Sequence, residues 1–341
     1  MKAAVIHQFG PPDVFRYEDI QEPCPGSGEV IVRVNACGMN RYDLYLRMGA
    51  VFTDIAFPHV LGADVAGTIV ALGRDVSGWR EGERAIVAPG YPIDPADWNV
   101  LPENMASSFE VTGTHTWGGN AEFIRVPARF LLKDDSRLPP EQVAAMPLVL
   151  MTAVHAVQTL GEVRVGTRVL VQGGASGSGN ACIQVAKILG AKVATTVGSP
   201  SKVETAQSAG ADLVINHKER SFAAAALDWT DGVGADVVID NVGASFLEDN
   251  LKALRVGGIF VNFGLVGGMK ATLNIRELFF RQHQLRGSFM GSLDELRRGL
   301  KWLAEGKIKA PVDRTYPLKD IAEAHRYIDS RAVRGKIVLI P

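Results

Sequence analysis

Residues 171–193, VQGGASGSGNACIQVAKILGAKV, set a cluster of glycines between a β-branched apolar run and a segment with helical spacing at Ile183, Ala186, Lys187 and Gly190. Glycines at a strand-to-helix junction bring backbone N–H groups of a helix N-terminus close to a pyrophosphate, and the last one permits close strand–helix packing. The strict G-x-G-x-x-G spacing places glycine at 174, 176 and 179. Gly174 and Gly179 fit, but Ser176 stands at the middle position with Gly177 after it. Serine is small and carries a donor of its own, so the departure is compatible with a phosphate site.

The next strand, AKVATTVGSPSK, specifies which nucleotide. A ribose 2′-OH is paired by a carboxylate about 20 residues past the glycines. Here the strand ends on Val197, Gly198 and Ser199, and no carboxylate occurs before Glu204. A carboxylate would repel a 2′-phosphate, whereas Ser199 donates to one and Lys202 neutralises it. The pattern predicts NADPH over NADH.

These residues need elements to hold them. From Lys2 to about Val126 the apolar runs are short and β-branched (EVIVRV, VAGTIVALG, ERAIVAPG), with Gly/Pro turns between them, which predicts a mainly-β unit. After Met151, strand-length runs (TRVLVQ, AKVATTVG, DLVIN, ADVVID, IFVNFG) alternate with helix-length segments, the pattern of a doubly wound parallel sheet. The tail after Leu285, with LDELRRGLKWLAEG and the strand KIVLI, breaks the alternation and is expected to return to the first unit.

The 341 residues carry 36 basic and 37 acidic side chains, so no net field draws the chain to nucleic acid or an anionic membrane. No apolar run reaches the roughly 20 residues of a membrane span, and the N-terminus lacks a signal-peptide core, so the expected location is cytoplasmic. Cys24, Cys37 and Cys182 are far apart, which leaves neither a disulfide framework nor a cysteine-rich zinc knuckle.

Taken in order, KAAVIHQFGPPDVF, GEVIVRV, ACGMNRYDLYLRMG, FPHVLGADVAGTIVALG, the glycine loop, GADLVINHKE, DNVG and GKIVL resemble the medium-chain dehydrogenase/reductase superfamily, in its zinc-free quinone oxidoreductase branch, over nearly the whole chain. The resemblance implies a GroES-like domain over 1–127 and 288–341 and a Rossmann NADPH-binding domain over 128–287, with the active site in the cleft. It implies Asn40 and Asp43 on the nicotinamide and substrate side, and Ser199, Lys202 and His217 around the 2′-phosphate. Gly174, Ser176, Gly177 and Gly179 would meet the pyrophosphate. Asn241 and Gly243, Asn262 and Gly264 would border the cofactor from the strand ends, with a contribution from Lys336.

Where zinc-dependent members of the superfamily carry their catalytic ligands, this chain has Asn40, Ala63 with Asp64, and about Leu148, a set that cannot hold tetrahedral zinc. The segment 89–119 resembles their structural-zinc lobe without its cysteines; it is expected to be a loop held by packing of Trp98 and Phe109, to cap the substrate cleft, or to reach a neighbouring subunit. A homodimer or homotetramer is implied, the dimer joined through Rossmann edge strands.

The expected activity is zinc-independent hydride transfer from NADPH to a quinone or α,β-unsaturated carbonyl, with Asn40 as the polar group that positions the acceptor. Tyr42 and Tyr45 are the nearby candidates for a proton donor. Two other readings stand beside it: a 2-enoyl-thioester reductase, and a non-catalytic, crystallin-like NADPH-binding protein.

Overall fold

The computed structural model describes residues 1–341 and divides into two compact units. The first comprises Met1–Leu148, Ser292–Gly306 and Ala310–Pro341; the second comprises Val149–Gly291 and Lys307–Lys309.

The second unit is built on six parallel strands: β1 (Arg168–Val171), β2 (Lys192–Val197), β3 (Leu213–Asn216), β4 (Ala235–Asp240), β5 (Leu254–Asn262) and β6 (Gln284–Gly287). Helix α1 (Gly177–Ile188) follows β1, α2 (Val203–Ser208) follows β2, α3 (Phe222–Trp229) follows β3, α4 (Leu247–Ala253) follows β4, and α5 (Ile275–Phe280) precedes β6. The strand order is β3-β2-β1-β4-β5-β6. It reverses direction between β1 and β4, which is where doubly wound sheets bind ligands. Val169, Leu170, Val193, Ala194, Val238 and Ile239 are fully or almost fully buried, because a parallel sheet covered on both faces needs continuous apolar strands rather than alternating ones.

The main sheet of the first unit runs in the order Leu131–Lys133, Arg84–Val87, Asp64–Leu72, Glu29–Gly38, Lys336–Ile340, Val312–Pro317. Phe123–Pro127 also pairs with the first half of Glu29–Gly38. The tail does return to this unit: Val338 lies opposite Gly38 and Leu339 opposite Cys37, while Val312–Pro317 runs parallel beside the last strand. On its other edge, Gly38 lies opposite Asp64. A Cβ on Gly38 would lie 2.1 Å from the Ala144 carbonyl oxygen, so the bare backbone is what lets helix Pro140–Ala144 approach.

Two boundaries differ from the sequence pattern. Residues 128–148, expected in the nucleotide-binding unit, belong to the first, since Leu131–Lys133 pairs with Arg84–Val87 and helix Pro140–Ala144 packs on Glu29–Gly38. Residues 288–291 and 307–309, expected in the first unit, belong to the second. An apolar run that ends one domain and one that begins the next look alike until their partners are known.

The cysteine-free lobe is organised by aromatic packing. Tyr91 stacks on Phe130 at 4.5 Å, Trp98 meets Phe130 edge-on at 5.7 Å, and the Arg129 guanidinium lies 5.1 Å from the Trp98 ring. Phe109 is buried and faces Gly90, and the Asp97 carboxylate accepts from the Ser107 hydroxyl and the Ser108 N–H. Phe130, which the sequence pattern did not single out, is the centre of this cluster. Phe130→Ala should therefore lower stability by about 3–5 kcal/mol in chemical denaturation, the cost of a large cavity under the lobe.

Candidate functional site

Functional residues gather at two places, one in each unit. In the second unit they lie at the C-terminal ends of β1, β2, β3, β4 and β5. Ser176 is the N-cap of α1: its hydroxyl accepts from Gly179 N at 3.0 Å and donates to Gly173 O at 2.7 Å. The single hydroxyl proton is thus committed to the loop itself. Ser176 closes the turn rather than offering a donor to phosphate, which corrects the role its chemistry alone suggested.

The glycines explain themselves by close approach. A Cβ on Gly174 would lie 2.2 Å from Thr195 Oγ1, and one on Gly179 would lie 2.2 Å from Gly173 O. Gly177 opens α1. Its length of 12 residues gives α1 a full set of aligned dipoles, with N–H groups at its first turn suited to an anion.

A buried polar chain ties the strand ends together. Thr196 accepts from Gly173 N and donates to Gln172; Gln172 donates to Asn250 at 2.6 Å. Asp240, fully buried, accepts from Val242 N, Gly243 N and Asn262 Nδ2, and its burial raises its pKa against those hydrogen bonds. Asn241 donates to Ser176 and Ser178 at 3.1 and 3.2 Å. A Cβ on Gly264 would lie 2.0 Å from Asn241 O, and Gly243 has φ +92°. The four strand-end residues Asn241, Gly243, Asn262 and Gly264 therefore build one rigid double loop. Sequence reasoning named them but missed Gln172, Asp240 and Asn250 beneath, because nothing in a lone Gln or Asn marks it as buried.

Ser199 and His217 follow the ends of the neighbouring strands β2 and β3, where Val197 is in register with Asn216. A Cβ on Gly198 would lie 3.2 Å from His217 Nε2. His217 packs edge-on against Phe246, and burial together with Lys218 lowers its pKa, so its ring is neutral near pH 7. Lys202 ends the turn Pro200–Lys202 that follows Ser199. No carboxylate stands at the end of β2.

In the first unit, Asn40, Asp64 and Lys336 meet at one end of three adjacent strands. Lys336 Nζ lies 2.5 Å from Asn40 Oδ1 and 3.0 Å from Asp64 Oδ2, and Asn40 Nδ2 donates to Asp64 Oδ2 at 2.9 Å. Asp64 Oδ1 accepts from the Leu148 N–H at 2.7 Å. Their exposures are 8% for Asn40, 4% for Lys336 and 0% for Asp64, so Asn40 is the outermost of the three.

Asp43, also buried, accepts from Asn40 N at 2.7 Å and so helps to cap helix Arg41–Arg47. Burial pushes the Asp43 carboxyl up to about 7, opposed by that hydrogen bond and by Lys336 and reinforced by Asp64. Thr114 donates its own proton to Val111 O, so the Tyr42 hydroxyl, 3.0 Å from Thr114 Oγ1, must donate to Thr114. Burial pushes Tyr42 up to about 12, which with its committed proton opposes a role as proton source. Tyr45 is half-buried and likewise raised by burial.

These donors do not fit zinc. The oxygens of Asn40 and Asp64 are bonded to an ammonium, Leu148 contributes only its backbone N–H, and no group of three His, Cys, Asp or Glu side chains is placed to hold a metal. The residues of the second unit do fit a dinucleotide, through the capped helix N-terminus and the glycine approaches above.

Residues 26–140 match the family model of the alcohol dehydrogenase GroES-like domain, and residues 177–305 that of the zinc-binding dehydrogenases. A 2-haloacrylate reductase from Burkholderia sp is 31% identical over 353 residues, covering 99% of this chain and 98% of the relative. A quinone oxidoreductase from Rattus norvegicus is 30% identical over 357 residues, covering 100% and 98%. A crystal structure of an NAD-dependent alcohol dehydrogenase superposes with TM-score 0.93 at 35% identity, covering 100% of both chains.

The family models and the named relatives together define an oxidoreductase, of a family whose dehydrogenases use nicotinamide cofactors. The chain belongs to the medium-chain dehydrogenase/reductase superfamily, in its quinone oxidoreductase-like branch, with a GroES-like domain and a Rossmann domain.

The raised Asp43 pKa makes stability depend on pH. Between about pH 4 and 7 the folded chain holds a proton on Asp43 that the unfolded chain releases, so this group's contribution falls as pH rises through that window and is level above it. Asp43→Asn keeps an acceptor for Asn40 N and removes the titration. The difference in denaturation midpoint, variant minus wild type, should be more positive at about pH 8 than at about pH 5. A difference independent of pH would show that Asp43 does not titrate there.

Proposed function

We propose that the protein is a zinc-independent, NADPH-dependent reductase of quinones or α,β-unsaturated carbonyl compounds. The observation that carries this reading is the group at Asn40: an N–H donor held beside a protein ammonium, where a metal-using relative needs a thiolate ligand. NADPH, when bound, supplies the hydride. Its absent β2-end carboxylate and the pair Ser199 and Lys202 support the 2′-phosphorylated form; the NAD dependence of the structural neighbour belongs to that protein.

At the acceptor, hydride addition to the carbon β to a carbonyl moves an electron pair onto the carbonyl oxygen. Asn40 Nδ2–H donates to that oxygen as its charge develops, and a proton from water completes the reduction. Haloacrylates and quinones both place a C=C bond in conjugation with C=O, so the two named relatives support this class of acceptor.

Purified protein should oxidise NADPH against a panel of quinones, enones, enoyl thioesters and aldehydes, with NADPH bound more tightly than NADH. Asn40→Ala should lower kcat by about 10²-fold with any acceptor that turns over, the usual loss for one oxyanion donor. Turnover of the thioesters alone would make the chain an enoyl-thioester reductase. No turnover with tight NADPH binding would leave the non-catalytic reading. Equal or reversed nucleotide preference would sink the assignment of Ser199 and Lys202.

We further propose a homodimer joined along β6. This strand pairs only with β5, and in α5, the helix that precedes it, Ile275, Phe279 and Phe280 are each more than 60% exposed. Two copies paired along that edge would extend the sheet, and burial of these apolar side chains would favour the association. Sedimentation should give a dimer for the wild type and a monomer for Phe279→Glu/Phe280→Glu. A wild-type monomer, or an assembly that survives the substitutions, would rule this interface out.

A further inference from the structure

The proposed reaction needs Asn40 to present N–H, not C=O, to the acceptor. A carboxamide is nearly symmetric in shape, and left alone it can rotate to offer either end. Around Asn40 the two neighbours remove that freedom. The Lys336 ammonium is a donor only, so the atom 2.5 Å from it must be the carbonyl oxygen. The Asp64 carboxylate, paired with that ammonium, offers only acceptors, so the atom 2.9 Å from it must be the nitrogen. Both neighbours are more deeply buried than Asn40, and they are bonded to each other at 3.0 Å, so neither can swing away without breaking a buried ion pair. Asp64 is held in turn by Leu148 N–H.

We propose that Asp64 and Lys336 are positioning residues that lock the Asn40 carboxamide in one orientation, leaving its second Nδ2–H as the donor for the acceptor's carbonyl oxygen. This inference rests on the reductase reading above and adds a role that is distinct from holding the nucleotide. It also says why a lysine stands here. Its ammonium supplies a fixed positive charge that selects the amide's oxygen, as no neutral donor-acceptor group such as a hydroxyl would.

The lock has consequences that a merely structural pair lacks. Lys336→Met should lower kcat by about tenfold or more while leaving the NADPH dissociation constant within about twofold, and Lys336→Arg should restore most of kcat. Because Lys336 acts through Asn40, the double variant Asn40→Ala/Lys336→Met should be no more than about twofold slower than Asn40→Ala alone. A readout independent of turnover is the Asn40 side-chain amide in protein carrying ¹⁵N-labelled asparagine, assigned by its loss in Asn40→Ala. Its two proton resonances should be sharp and well separated in the wild type, and should shift or broaden in Asp64→Asn and Lys336→Met.

An amide signal indifferent to both substitutions would overturn the lock whatever the enzyme's substrate. A Lys336→Met enzyme with weakened NADPH binding, unchanged kcat and effects additive with Asn40→Ala would assign Lys336 to the nucleotide instead. If Lys336→Met does not fold by circular dichroism, Asp64→Asn and Lys336→Arg carry the same amide measurement. Failure of the wild type to reduce any conjugated acceptor would remove the reductase reading and leave the amide result standing on its own.

Discussion

The register of the strands at Gly38 is the constraint on which the first unit's site depends. Gly38 faces Asp64 across one edge of its strand and Val338 across the other. Asn40 lies two residues beyond Gly38, and Lys336 two residues before Val338. A shift of one residue on either edge would turn Asp64 or Lys336 to the opposite face and dissolve the cluster. The missing side chain at Gly38 secures this arrangement, because the Ala144 carbonyl occupies the space a Cβ would need. Helix Pro140–Ala144 can then lie close, and Leu148 follows in reach of Asp64.

The second unit solves a similar problem with amides, hydroxyls and one buried carboxyl group. Its loops have to stay open and yet rigid at the reversal point of the sheet. Buried amides and hydroxyls do this through Thr196, Gln172 and Asn250, while Asp240 gathers two backbone N–H groups and Asn262 at one carboxyl. Satisfied polar networks of this kind specify one geometry, since each broken link leaves an unpaired group away from water. Ser176 belongs to the same economy of donors: its proton closes the turn, and the helix N-terminus is left to face an anion.

Much of this was legible in residue order. The alternation after Met151 marked the parallel sheet, the glycine spacing located the β1–α1 turn, and the missing carboxylate after ATTVGS was a direct reading of chemistry. Asp64 stood out only at a position where zinc-dependent members carry a ligand and could not be tied to Asn40, 24 residues away, and Lys336 was assigned only to the nucleotide. Phe130 was invisible as the centre of the cysteine-free lobe because a single aromatic residue has no local signature of its partners. The boundary at 128–148 was misplaced for the same reason.

By itself the sequence determined which elements form and which groups are available: periodicity selects strands and helices, and Asn40, Ala63 and Leu148 stand where zinc-dependent members carry their ligands. Tertiary structure decided what those groups do. It brought Lys336 across 296 positions to Asn40, gave Tyr42's proton to Thr114, and buried Asp43 until its carboxyl rose to about 7. Hydrogen-bond direction and desolvation arise from neighbours in space, and neighbours in space are set only when the tail strand pairs beside Gly38.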